Sequence, residues 1–246
     1  AARQKALKTL GELRVPILDV ASLHVDNEGM LFYSCKTRVV SGFESTETSS
    51  VSLPVEEKSE TAPAAAVSQA SVPISSPPIR NSRPGAESVI YLDFNGHTVT
   101  GTSWNTSVGR TSFQCVPFDL DGDPTTFSDA EQAAIIEVWE RVSEDYKAFN
   151  INVTTVEPAN FTSKTARALI TKNKDAAGAH NPSSGNGGVG YLNVFGTSDY
   201  ATRYSPAFAY YNNVSNLARN IAEVISHEVG HNLGLSHDGT KSVEYY

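Results

Sequence analysis

The chain has 246 residues, with 19 basic side chains against 27 acidic ones. The resulting net charge of −8 argues against a nucleic-acid partner, which needs clustered Lys and Arg, and no apolar run approaches the roughly 20 residues of a membrane-spanning helix. Two cysteines are too few for a disulfide-dense miniature scaffold or a four-cysteine zinc ribbon.

Residues 1–40 read as a small ordered unit. Ala6 to Leu13 suits a short helix. The apolar runs Ile17–Val20, Leu23–Val25 and Met30–Tyr33, arranged around Asp26-Asn27-Glu28-Gly29, suit a β-hairpin. Residues 41–86 change character. They are rich in Ser, Thr, Ala, Pro and Glu, hold six of the twelve prolines, and have no aromatic between Phe43 and Tyr91. Such a stretch buries too little apolar surface to offset its ordering entropy, so a disordered linker is expected.

From Glu87 the pattern is globular. Strands are expected at Ser88–Phe94, Ile151–Val156, Ala166–Thr171, Gly190–Phe195 and Pro206–Tyr211. A first long helix is expected over Ser128–Phe149. Ser128 and Glu131 there form a capping box, and Ile135, Val138, Trp139, Val142, Tyr146 and Phe149 form an apolar face. A second runs from Ser215 to about Leu233. This order suggests an α+β fold, a mixed twisted sheet of about five strands with two long helices.

The chemistry is concentrated in His227-Glu228-Val229-Gly230-His231-Asn232-Leu233-Gly234-Leu235-Ser236-His237-Asp238. Residues four apart share a helix face, so His227 and His231 can hold one ion. Glu228 can reach a water at that ion and act as general base. Gly234 can take positive φ, end the helix and return His237 as a third ligand, leaving a fourth position open as in a catalytic zinc site.

The segment resembles the metzincin pattern H-E-x-x-H-x-x-G-x-x-H, and Gly230, Asn232-Leu233 and Asp238 are similar to its reprolysin-like (adamalysin-type) branch. The resemblance implies a secreted, monomeric zinc endopeptidase acting on protein or peptide substrates. In it His227, His231 and His237 hold Zn2+ at the end of the second helix, and Glu228 activates the zinc-bound water. It also implies an edge strand that pairs with extended substrate. Gly190, Tyr191 and Leu192 stand in that place, with glycines permitting close backbone approach. The chain departs from the family in one respect. Metzincins carry a methionine turn downstream of the third histidine, and the sole methionine here is Met30. Residues 87–246 are therefore expected to form a C-terminally truncated catalytic domain lacking its C-terminal subdomain, with residues 1–40 a pro-region remnant.

Several features leave alternatives open. Asp119, Asp121 and Asp123 form a Ca2+ site or an acidic turn before the capped helix. Cys35 and Cys115 form a disulfide, or are buried thiols, or Cys35 caps the zinc as a thiolate and holds a precursor inactive. Against the protease stands a non-catalytic zinc-bearing binding or adhesion module, to which an intact Glu228 would be superfluous. A third class is a calcium-stabilised structural domain.

Overall fold

The computed structural model of the chain describes residues 22–35 and 70–237. The expected helix at Ala6–Leu13, the first strand-like run at Ile17–Val20, most of the 41–86 linker and everything from Asp238 onward lie outside the described residues.

The described chain opens with a hairpin, β1 (Leu23–Val25) and β2 (Leu31–Cys35), antiparallel with Leu23 opposite Tyr33. Asp26 organises its turn. Oδ1 accepts the backbone N–H groups of Glu28 and Met30, each at 2.8 Å, and Gly29 takes φ 83°. The globular part follows in the order β3 (Val72–Pro73), β4 (Ser88–Asp93), β5 (His97–Thr100), α1 (Ser103–Val108), β6 (Ser112–Cys115), β7 (Thr126–Phe127), α2 (Asp129–Asp145), β8 (Ile151–Thr154), β9 (Thr165–Thr171), β10 (Gly188–Tyr191), β11 (Ala207–Tyr210) and α3 (Ala218–Asn232).

The main sheet has the strand order β1-β2-β10-β11-β9-β4-β8. Strands β8, β4, β9 and β11 run parallel, and β10 is antiparallel to β11. The expected mixed sheet with two long helices is present, but with seven strands where about five were expected. Its parallel strands are buried along nearly their whole length, which explains their continuous apolar character in sequence. Ile221, Val224, Ile225 and Val229 of α3 and Ile135, Val138 and Val142 of α2 share one core with those strands.

Two findings depart from the expected domain plan. The hairpin is not a separate unit, because β2 extends the sheet as the neighbour of β10. Of residues 70–86, expected in the linker, Val72–Pro73 pair with β7, and Pro78 to Arg83 lie along β8. Ser82 N–H donates to the Val153 carbonyl while Ser82 Oγ accepts from Val153 N–H, and Thr155 Oγ1 donates to the carbonyl of Pro78 at 2.6 Å. Polar side chains and backbone hold this segment while Ile79 stays 73% exposed, so hydropathy carries no trace of it.

Element ends shift too. Helix α2 stops at Asp145, leaving Phe149 55% exposed instead of on the buried face. The strand expected over Gly190–Phe195 is displaced to Gly188–Tyr191, because Asn193 turns away at φ 57°. Among the described residues no helix is long and apolar enough to cross a membrane.

Candidate active site

Helix α3 carries the first two histidines of the motif. Its last turn ends as the glycine predicts. Gly234 takes φ 97°, its N–H donates to the carbonyl of His231, and the N–H of Leu235 reaches back to the carbonyl of Gly230. A second segment satisfies the remaining helix-end carbonyls. Asn193 N–H donates to His231, and Val194 and Phe195 N–H both donate to Asn232. The Asn232 side chain bridges the same seam, donating to the Tyr191 carbonyl at 2.8 Å and accepting from Tyr200 Oη at 2.8 Å. The kink after β10 and the end of α3 are thus one structure, which fixes where His231 and His237 lie.

The three histidines converge as the motif requires. His227 Nε2 lies 2.9 Å from both His231 Nε2 and His237 Nε2. The fourth member is Cys35 at the end of β2, whose Sγ is 3.1 Å from His227 Nε2 and 3.4 Å from the other two. Three imidazoles and a thiol facing inward at these spacings fit Zn2+. Tetrahedral bonds of roughly 2.0–2.3 Å place ligand atoms about 3.3–3.8 Å apart, and the spacings of 2.9–3.4 Å seen here come within about half an ångström of that. The tautomers fit as well. His231 Nδ1 lies 2.7 Å from the Leu235 carbonyl, which commits Nδ1 as donor and leaves the Nε2 lone pair turned to the cluster. Burial and the neighbouring His237 bring the His227 pKa down to about 3, and burial brings His231 well below the usual range, so both rings present neutral, ligating nitrogen.

Glu228 is 1% exposed and neither carboxylate oxygen has a hydrogen-bond partner. Burial drives its pKa far up, and the Cys35 thiol is what opposes the shift. Cys35 therefore stands against the carboxylate as well as the histidines. A buried carboxylate with unmet acceptors costs about 1–3 kcal/mol or more, which marks this as a site not built for stability alone.

The glycines of β10 serve another purpose than the one expected. A Cβ on Gly188 would lie 2.7 Å from Glu228 Cγ, Phe208 O and Val224 Cγ1, and one on Gly190 would lie 2.7 Å from the Glu228 carbonyl. They let β10 sit down on α3 beside Glu228. The outer edge of β10, where Gly190, Tyr191 and Leu192 were expected to meet substrate, is paired with β2. Gly190 is opposite Tyr33, Tyr191 is opposite Phe32, and Leu192 N–H donates to the Leu31 carbonyl at 2.9 Å.

Cys35 and Cys115 form no disulfide. Cys115 lies in the core with its thiol 3.8 Å from Asn181 Oδ1. Of the three alternatives for the cysteines, the place of Cys35 beside the histidines fits the capping one, although Ser34-Cys35-Lys36 matches no familiar inhibitory motif. The available signal was the alternation Leu31, Tyr33, Cys35, which puts the thiol on the same strand face as two core residues.

The acidic turn gathers differently from the expected Ca2+ set. Asp119 and Asp121 come together with Glu131, while Asp123 turns back onto Thr125 and Thr126. Glu131 already accepts from Leu120 N–H and Ser128 N–H, and Asp119 pairs with Lys172, so these carboxylates have protein partners.

Residues 167–238 match a family model described as metallo-peptidase family M12B, reprolysin-like. No curated protein matches, and no solved structure does. By motif and family model together, the stretch from Arg167 to the third histidine is similar to that of the reprolysin-like metallopeptidases.

Proposed function

We propose that the chain is a zinc-dependent endopeptidase in which His227, His231 and His237 hold the metal and Glu228 is the general base. The observation that carries this reading is Glu228 itself, buried with both oxygens unpartnered beside a ready-made three-imidazole cluster. Zinc, when bound, would polarise a peptide carbonyl and acidify a water. The protein's own part is then clear. Glu228 takes the proton of that water and returns it to the leaving amine. Its apolar burial keeps the carboxyl basic enough for the task, as a base working near neutral pH requires. Leu235 and the kink at Asn193 hold the histidine rings in place. The edge of β10 offers backbone groups for an extended peptide, and substrate proteins are the partners this implies.

A second reading has one observation in its favour. Cys35 completes a set of four protein donors, the composition of a structural zinc site. Such a site has no use for an unpartnered carboxylate at its flank, which is why the catalytic reading stands first.

Both are tested on the full chain carrying Tyr33→Pro and Cys35→Ser, which frees β10 and the fourth position. The expected outcome is one zinc per chain by elemental analysis and hydrolysis of casein. Adding Glu228→Gln should keep the zinc and lower hydrolysis by about 10²–10⁴-fold. Hydrolysis unchanged by Glu228→Gln overturns the assigned role, and bound zinc without any hydrolysis favours the structural reading.

A further inference from the structure

We infer that Asn160 is an N-glycosylation acceptor, and that among the four Asn-X-Ser/Thr sites of the chain it is the one whose glycan the fold can carry. The four stand at Asn105, Asn152, Asn160 and Asn213. The inference is independent of the histidine cluster. It needs only a chain that passes through a pathway with N-linked glycosylation, in keeping with the secreted protein that the resemblance implies.

The chemistry sets what each site must offer. An asparagine Nδ2 attacks C1 of a lipid-linked oligosaccharide. The C1–Nδ2 bond forms, the bond from C1 to the pyrophosphate oxygen breaks, and the lipid pyrophosphate leaves. Nδ2 gives up one of its two hydrogens as a proton. Transfer takes place on extended chain, so all four sites are presented alike. The finished fold then decides which of them leaves a hydrogen of Nδ2 unspent and a path open for a sugar.

Three sites fail that requirement. Asn213 spends both Nδ2 hydrogens, one on the Ser184 carbonyl at 2.9 Å and one on the Asn186 carbonyl at 2.6 Å, while its Oδ1 accepts from Asn173 Nδ2 at 2.9 Å. Asn105 is buried. Its Nδ2 donates to the Val99 carbonyl at 3.0 Å, and its Oδ1 accepts the Thr102 N–H at the start of α1. Asn152 is buried in β8. Its Nδ2 donates to Asn81 Oδ1 at 3.1 Å, and its Oδ1 accepts the Arg83 N–H at 2.9 Å. A sugar at any of these would break bonds that hold a loop, a helix start or a strand, or would open close-packed surface.

Asn160 is the opposite case. It lies in the connection from β8 to β9, is exposed, and has no side-chain hydrogen bond among the described residues. Thr162, which supplies the hydroxyl of the site, is exposed as well. The residue between them is the anchor. The Phe161 ring centroid lies 4.2 Å from Arg167 Cζ, and the ring meets Tyr91 edge-on with centroids 6.1 Å apart. The connection is thus tied down at Phe161 and open on either side of it.

The experiment produces the full chain behind a cleavable secretion signal in insect cells. The soluble folded product is mapped by peptide mass spectrometry after enzymatic glycan release in heavy-oxygen water, which marks each formerly glycosylated asparagine as a labelled aspartate. The expected result is one glycan per chain, on Asn160, with Asn105, Asn152 and Asn213 unmodified. Asn160→Gln and Thr162→Ala should each remove the glycan, and Thr162→Ser should keep it. Glycan-free chain made in bacteria separates a surface role from a structural one. There Asn160→Gln should leave the melting temperature within about 1–2 °C of the parent, and Asn213→Gln should lower it by about 2–8 °C. An unmodified Asn160 in the soluble product overturns the inference. A glycan on Asn105, Asn152 or Asn213 of that product overturns its exclusivity, as would an Asn213→Gln chain that melts with Asn160→Gln.

Discussion

Gly188→Ala is the sharpest probe of how β10 is seated. The added methyl would sit 2.7 Å from Glu228 Cγ, Phe208 O and Val224 Cγ1. Ordinary contact begins near 3.4 Å, so the strand and α3 must part by several tenths of an ångström. Two of the three neighbours are ill-placed to yield. Phe208 O is backbone of β11 inside the sheet, and Glu228 Cγ lies near the root of a fully buried side chain.

Overpacking of this kind costs about 1–3 kcal/mol, and three simultaneous clashes argue for the upper end. Against it stands a gain of about 0.4–1 kcal/mol from restricting the unfolded chain. The net is a loss of about 2 kcal/mol, or a melting temperature lower by roughly 4–8 °C for a protein of this size. Gly185→Ala is the matched control, since a Cβ there meets nothing within 4 Å and needs no left-handed backbone. It should leave the melting temperature unchanged or raise it by a degree or more. Differential scanning calorimetry of both variants decides the matter. If Gly188→Ala melts with or above Gly185→Ala, the close packing of β10 on α3 is wrong.

Other expectations follow from particular contacts. Asp26→Ala strips acceptors from two turn amides and from the buried Tyr191 hydroxyl, so Cys35 should react with a thiol reagent at least tenfold faster than in the parent, as followed by chromophore release. Cys115 should stay unreactive in the same assay until the protein unfolds, because burial raises its thiol pKa and leaves no exposed path. Arg167→Met removes the partner of Asp93, which is 1% exposed and whose pKa burial already lifts to about 6 against the pull of that arginine. In the variant the folded pKa rises further above the unfolded value. The charged form is then penalised, and the pH-dependent part of the stability deficit should be near zero at pH 4 and grow to about 1 kcal/mol by pH 7 in urea melts. A deficit that shrinks with rising pH would contradict the assignment.

What the sequence disclosed was what local pattern can carry. The HExxHxxGxxH spacing placed two histidines on one helix face and the third beyond a glycine turn, and each landed there because 3.6-residue periodicity and the left-handed preference of Gly234 act over a few residues. The Ser128–Glu131 pairing marked the start of α2 for the same reason, with Ser128 N–H donating to Glu131 Oε2 at 2.8 Å. The opposite ends were less legible. The apolar run to Phe149 continued past the point where the helix stopped, and the second helix, expected from Ser215, begins at Ala218 and leaves Leu217 43% exposed. The residues 70–86 were misjudged because composition reports buried apolar area, and this segment is held by Ser, Thr and Asn side chains on an edge strand.

The hairpin shows where local reading ends. Its turn and its alternation were visible, and so was a cysteine at the strand's last position. Its seat was not, because a strand's partner is chosen by the register of another strand more than 150 residues away. Once Gly190 pairs with Tyr33, the period of two leaves no freedom. Leu31, Tyr33 and Cys35 must all face α3, and Phe32 must face Trp104 and Tyr191 on the other side. A slip of one residue would turn the thiol away from the histidines and put Ser34 in its place. The aromatic stack of Tyr33 on His231 and the Asp26–Tyr191 bond both resist such a slip, one from the middle of the strand and one from the turn before it. The contacts that position the hairpin are therefore the same ones that aim its sulfur at Glu228 and the three imidazoles.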